Sequence, residues 1–264
     1  MHGPLAETNQ QEQYITSASM SHATGAERLA FLRKVYSLLF SGIFVFFLCT
    51  AIPIALYLAG TAVGESIVSA LLSINPLVYI VAVLGMSFLA GAVAHKPGIN
   101  IVMFYVFAAF FGVLTVPLVL YAMVVTAEAG ALESGQLAVA SGLTAVLQAA
   151  GLTTLIMGGL TAYVFITKKD FSFMGGFLAV GLVLLIGAAI IMAISSMMGA
   201  NVEMFHTAFS IVAVILFSGY VLYDTSRILH HFPSHMWVAA ALHLLIDFII
   251  LFRNILWLIL QSRR

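Results

Sequence analysis

An all-α membrane protein of seven transmembrane helices is predicted by three observations. Hydrophobic residues make up 62% of the 264 and charged residues only 8%, with 20 phenylalanines spread along the chain. Mean hydropathy is +1.12, which excludes a soluble globule. The apolar residues gather into seven runs of about 20 residues, each long enough to cross hydrocarbon, separated by short polar turns.

Residues 1–28 are polar and contain no basic residue before Arg28, so they lack the charged start of a cleavable signal peptide. They read as a disordered cytoplasmic tail ahead of a membrane domain over 29–264. Arg28, Arg33 and Lys34 flank the first span, about 36–59, where Pro53 is expected to kink the helix. Cys49 has no partner for a disulfide and fills space in that helix. A short loop with Glu65 follows. Asn75-Pro76 opens the second span, about 75–94, with proline suited to a first helical turn. His95-Lys96-Pro97-Gly98 ends it. The third span, about 100–125, contains Pro117, whose freed carbonyl neighbouring protein must satisfy. A loop with Glu128 and Glu133 leads to the fourth span, about 141–166, where Gly158 and Ala162 form a small-xxx-small face for close helix contact. Thr167-Lys168-Lys169-Asp170 is the next turn. The last three spans are about 172–197, 206–229 and 236–260.

Charge placement fixes an orientation. With seven spans, one face collects Arg28, Arg33, Lys34, Lys96, Lys168, Lys169 and Arg227, and the other collects Glu65, Glu128, Glu133 and Glu203. Cytoplasmic loops carry the excess of lysine and arginine, so the amino terminus is expected in the cytoplasm. The terminal Arg263-Arg264 pair falls on the acidic face, and a re-entrant last helix is the alternative that would move it.

Two of the runs are interrupted by a single carboxylate each, Asp224 and Asp247, on either side of the turn His230-His231-Phe232-Pro233-Ser234-His235. At about 1.5 Å per residue both lie roughly 10–17 Å from that turn, so antiparallel helices bring them to one depth. Ionisable groups there are functional candidates. Two carboxylates in low dielectric resist double ionisation and share a proton, which would make a switch. The alternative is two separate pairs, Asp224 with Arg227 one turn on and Asp247 with His243 one turn back. His243, Asp247 and Asn254 form a polar stripe on one helix face, which suggests a helix surrounded by protein. His243 is either a satisfied core histidine or a titrating neighbour. Arg253 is rotated about 120° from Asp247 and is expected to reach the far surface or an acidic loop. His230, His231 and His235 read as a solvated turn and not as a metal site.

The absences also count. All four lysines sit at helix ends, and no Gly-x-Ser-x-Gly elbow, His-Glu-x-x-His pair or Gly-rich phosphate loop occurs. Neither an enzyme, a bound cofactor nor a resident metal is expected. Basic and acidic residues number ten each, with no basic tract to bind nucleic acid.

At Leu216-Phe217-Ser218-Gly219-Tyr220-Val221-Leu222-Tyr223-Asp224-Thr225 the chain resembles the sixth helix of the Bax inhibitor family, the transmembrane Bax-inhibitor-motif proteins. Leu244-Leu245-Ile246-Asp247-Phe248-Ile249 is similar to the family's Leu-Tyr-Leu-Asp-Phe-Ile segment, with Leu245 where tyrosine is common. Leu160-Thr161-Ala162-Tyr163 with Thr167 to Phe173, and the stretch Phe104 to Pro117, extend the likeness to nearly all of Phe31 to Leu260. The resemblance implies a seven-helix fold with the last helix enclosed by the other six. It implies that Asp224 and Asp247 are a proton-sensing pair governing a slow calcium leak. Some members carry a basic latch near the cytoplasmic end of the second helix, for which His95 and Lys96 are the nearest candidates. Many carry an acidic residue in the third helix where this chain has Phe111.

Two readings result. One is a pH-sensitive calcium leak in a bacterial inner membrane, with the bilayer, protons and passing calcium as partners. The other is a non-transporting regulator that docks on membrane proteins, a quality-control protease or cell-death factors.

Overall fold

The computed structural model describes residues 25–126 and 136–263, the side chains of 136–140 excepted. The expected disorder of residues 1–24 and the placement of Glu128, Glu133 and Arg264 lie outside these residues. The described helices are α1 (Gly25–Leu58), α2 (Ala62–Leu72), α3 (Pro76–Val93), α4 (Ile99–Val125), α5 (Gln136–Thr167), α6 (Gly175–Met197), α7 (Glu203–His230) and α8 (Trp237–Ser262). Single 3-10 turns at Ser172–Met174 and Ser234–Met236 lead into α6 and α8. Among the described residues, seven helices are long and apolar enough to cross a membrane. Their order matches the seven runs of the sequence, and their limits do so to within a few residues except at the start of α1, which lies 11 residues ahead of the expected residue 36.

Three local features differ from expectation. Helix α1 opens at Gly25, four residues inside the segment expected to be tail, with Glu27 in its first turn where the helix dipole favours a carboxylate. The loop expected around Glu65 is the 11-residue helix α2, too short to span. Thr61 caps it, its hydroxyl accepting from the Gly64 N–H at 3.1 Å, and Val68 is buried against the bundle. Gly158 and Ala162 are exposed, and a Cβ at Gly158 would meet nothing within 4 Å, so that face is no helix contact. The close approaches lie elsewhere. A Cβ at Gly112 would stand 2.4 Å from the Phe46 carbonyl oxygen, which binds α4 tightly to α1. The Thr50 hydroxyl bridges the same seam, donating toward Phe46 O at 2.9 Å and Gly112 O at 2.8 Å.

Helix α8 packs mainly on α1, α4, α5 and α7, while α3 and α6 pack mainly on α4, α7 and each other. No residue from Trp237 to Gln261 is exposed. The other spans show large apolar side chains outward, such as Phe44, Phe88, Leu155, Phe177 and Ile215. Lipid is as apolar as these side chains, so helix association rests on close packing and polar contacts instead of water exclusion. Phe252 meets Phe46 and Phe47 edge-on at 5.7 and 5.2 Å, contacts worth about 0.5–1.5 kcal/mol each beyond their area.

Candidate functional site

Asp224 stands two turns from the carboxyl end of α7, and Asp247 stands near the middle of α8. The turn between the helices makes them antiparallel neighbours, and both carboxylates are buried, 3% and 2% exposed. They lie within electrostatic reach of each other and of Tyr220, one turn before Asp224.

The partners are unevenly divided. Arg227 Nη1 is 3.9 Å from Asp224 Oδ1, beyond hydrogen-bond distance, and its guanidinium lies over the Tyr223 and Phe232 rings at 5.4 and 5.2 Å. His243 Nδ1 is 3.5 Å from Asp224 Oδ2. The expected Asp224–Arg227 pair is therefore present, but His243 crosses to α7 and leaves Asp247. Among the described residues no ion pair or hydrogen bond reaches the Asp247 carboxyl. Asp224 Oδ1 and Asp247 Oδ2 are both buried without a hydrogen-bond partner, a costly condition for carboxylate oxygens.

A second polar group anchors this end of the bundle. The Ser226 hydroxyl accepts from the Phe171 N–H at 2.9 Å and donates to Asp170 Oδ1 at 3.2 Å, tying the turn before α6 to α7. The Ser172 hydroxyl also donates to Asp170 Oδ1, and His231 Nε2 is 3.6 Å from Oδ2. The Ser172 hydroxyl foremost, with the Ser172 N–H, His231 and Ser226, holds the Asp170 carboxyl below the usual carboxylate range. His230 faces its own helix, with Nδ1 3.0 Å from Ser226 O.

The remaining sequence candidates lie apart. His95 and Lys96 are exposed in the α3–α4 turn, where Gly98 takes φ 85, and make no ion pair with either aspartate. Asn254 gives its amide to Ile250 O at 2.8 Å. It lines a cavity of about 800 Å³ entered from the other end of the bundle, past exposed Pro76, Ser196 and Asn201. Phe111 and Ile249 line it as well, and Ile249 is two residues from Asp247. Arg253 lines it too, half-buried and over the Tyr79 ring at 5.3 Å. Among the described residues it meets no acidic partner.

Sequence reasoning missed Tyr220, although its place one turn before Asp224 was a usable signal. It also missed the Asp170–Ser226 tie and the cavity, which depend on segments far apart in the chain.

Comparison with known proteins bears on the whole described bundle. The family model described as "Inhibitor of apoptosis-promoting Bax1" matches residues 28–264. A Vibrio cholerae protein named "Uncharacterized membrane protein" is 38% identical over 119 residues, covering 45% of this chain and 51% of that one. "Bax inhibitor 1" of Schizosaccharomyces pombe is 36% identical over 111 residues, 42% of this chain and 40% of that protein. The matched part thus spans about half the length of these two relatives. "Protein lifeguard 4" of mouse is 29% identical over 234 residues, 87% of this chain and 84% of that protein. The breadth of the family match, over a bundle of seven membrane-spanning helices, means that this chain belongs to the Bax inhibitor family.

Proposed function

We propose that the protein is a pH-sensitive calcium leak, gated where Asp224 on α7 meets Asp247 on α8, and that it performs no covalent chemistry. One observation carries the reading. The two buried carboxyls each hold an oxygen without a hydrogen-bond partner, and the cavity from the opposite end of the bundle is lined by Ile249, two residues along α8 from Asp247. A single proton held between the carboxyls makes one a donor to the other and ties α7 to α8. Losing or completing that protonation changes the tie and biases two packings of α8 within the enclosing helices. Two carboxyls are too few for a resident calcium, which takes six to eight oxygens, so calcium passes and does not stay. The basic turns at Lys96 and Lys168 support an orientation with that end of the bundle, and the amino terminus, on the cytoplasmic side of a bacterial inner membrane.

The test is calcium flux into liposomes that hold the purified chain and a trapped indicator, measured against pH. Flux that varies with pH in the parent and not in Asp224→Ala or Asp247→Ala supports the reading. A second reading, a regulator that binds other membrane proteins without transport, is favoured by one feature: the cavity presents Phe111 and the cation Arg253 along the path calcium would take. Absence of flux from well-folded parent protein selects it.

A further inference from the structure

Arg253 and Trp257 are one turn apart on α8, so their side chains share a face, and both line the cavity at the α2–α3 end of the bundle. Both are donors in want of an acceptor. The Arg253 guanidinium has the Tyr79 ring for company and, among the described residues, no carboxylate or hydrogen-bond partner. The Trp257 Nε1–H is buried and unpaired, although a buried indole N–H ordinarily finds an acceptor. Its ring is fixed between Tyr121, stacked at 5.6 Å, and His206, edge-on at 3.9 Å, so rotation to another partner is blocked. Glu203 is the acid of the lining, and it already has a partner. The rest of the wall is largely aliphatic and aromatic, with Val83, Leu118, Met192, Phe209 and Ile250 among it.

We infer that this cavity is a binding site for an anionic amphiphile, a single-chain lipid whose carboxylate or phosphate head is held by the Arg253 guanidinium, one turn from Trp257. The charge argues for an anion, since a cation would face Arg253 with Glu203 already engaged. The walls argue for a chain behind the head, since a small anion would leave most of an apolar volume of about 800 Å³ unfilled. The guanidinium fork suits either oxyanion head. This inference does not rest on transport and holds for either reading of the function.

Trp257 is also the reporter. The chain has two tryptophans, and Trp237→Phe leaves Trp257 alone to fluoresce. In neutral-detergent micelles, dibrominated stearate is expected to quench this fluorescence saturably, with unbrominated oleate competing. The methyl ester of the same brominated chain should bind at least tenfold more weakly, because it enters the micelle equally but lacks the charge. Arg253→Gln should weaken the acid at least tenfold and leave the ester unchanged. Acetate and inorganic phosphate should displace the quencher only at far higher concentration than oleate. Equal quenching by acid and ester in the parent would overturn the inference with no variant needed. Displacement by phosphate or acetate as effective as by oleate would overturn the lipid in favour of a free anion.

Discussion

His243 Nδ1 lies 3.5 Å from Asp224 Oδ2, across the α7–α8 interface, and turns away from Asp247 one turn along its own helix. The two buried aspartates are consequently unequal. Asp224 has Arg227 and His243 beside it, while Asp247 has neither. Replacing Asp224 by asparagine strips two basic groups of their anion, whereas Asp247→Asn removes no ion pair. The Arg227 and His243 side chains are 35% and 44% exposed, so solvent screens much of the loss. Asp224→Asn should therefore be less stable than Asp247→Asn by about 1–2 kcal/mol in denaturant unfolding from micelles. Equal losses would mean that the uneven sharing has no energetic consequence.

The helix seams give a sharper contrast. Gly112→Ala would press a methyl group to within 2.4 Å of the Phe46 carbonyl oxygen, backbone that cannot rotate away. A loss of about 1–3 kcal/mol follows from such overpacking, with the Thr50 bridge to Gly112 disturbed as well. Gly158→Ala meets nothing within 4 Å and should gain about 0.5–1 kcal/mol of helix preference. Thermal unfolding of the two variants beside the parent decides it, and a destabilised Gly158→Ala would contradict the packing.

The Asp170 tie makes a prediction with a definite sign. Hydrogen bonds from Ser172, with His231 and Ser226 nearby, hold the folded carboxyl below its ordinary range. A depressed carboxylate stabilises the fold above the unfolded pKa, about 3.9, and that contribution disappears as pH falls through the lower folded value. Ser172→Ala takes away the foremost cause and brings the folded value back up. Ser172→Ala should then melt below the parent near neutral pH, and the gap should close on acidification as the parent loses its extra contribution. A gap that stays the same on acidification would show that the Ser172 bond does not stabilise the carboxylate.

The same residues explain what the chain made legible. Span number and order were readable because hydrocarbon imposes one length and one composition on every crossing. Asp224 and Asp247 were visible because a lone carboxylate in an apolar run has few alternatives. His243 crossing to Asp224 was not, because Asp247 lay at an equally suitable i+4 position and only the interhelical geometry chooses. Gly158 and Ala162 misled for a related reason: a spacing places two small residues on one face but does not say which way that face points. The tight seam at Gly112 carries no such spacing and is set by Phe46 on another helix. The α2 helix looked like a loop because 11 residues lack the span length that defined every other element.

Orientation is open to direct measurement. In a Cys49→Ser background, single cysteines replacing Lys96, Lys168 or His231 should react with a membrane-impermeant maleimide only after the cells are opened. Cysteines replacing Glu65 or Asn201 should react in intact cells. All five positions are exposed, so burial does not confuse the result. Reaction at position 231 from outside would invert the arrangement drawn from the basic turns.

The mechanism itself stands on linkage. A conformational equilibrium responds to pH only if its states bind different numbers of protons. In the proposed gate Asp224 and Asp247 would supply such a difference, because a proton tying α7 to α8 in one packing would have no equivalent once the helices shift. The carboxyls are buried, and flux is to be followed over a window of about pH 6 to pH 8, which brackets neutrality. Calcium flux through the parent in liposomes should change severalfold across that window. Asp224→Ala and Asp247→Ala each leave a lone carboxyl and should flatten the profile, even where the absolute rate rises. Phe173→Leu, at an exposed position on the bundle surface, should keep the parent's profile. A partly retained slope in His243→Gln would fit its place beside Asp224, since it adjusts the charge around the pair without removing either carboxyl. Identical pH responses in the parent and both alanine variants would remove the aspartates from the gate.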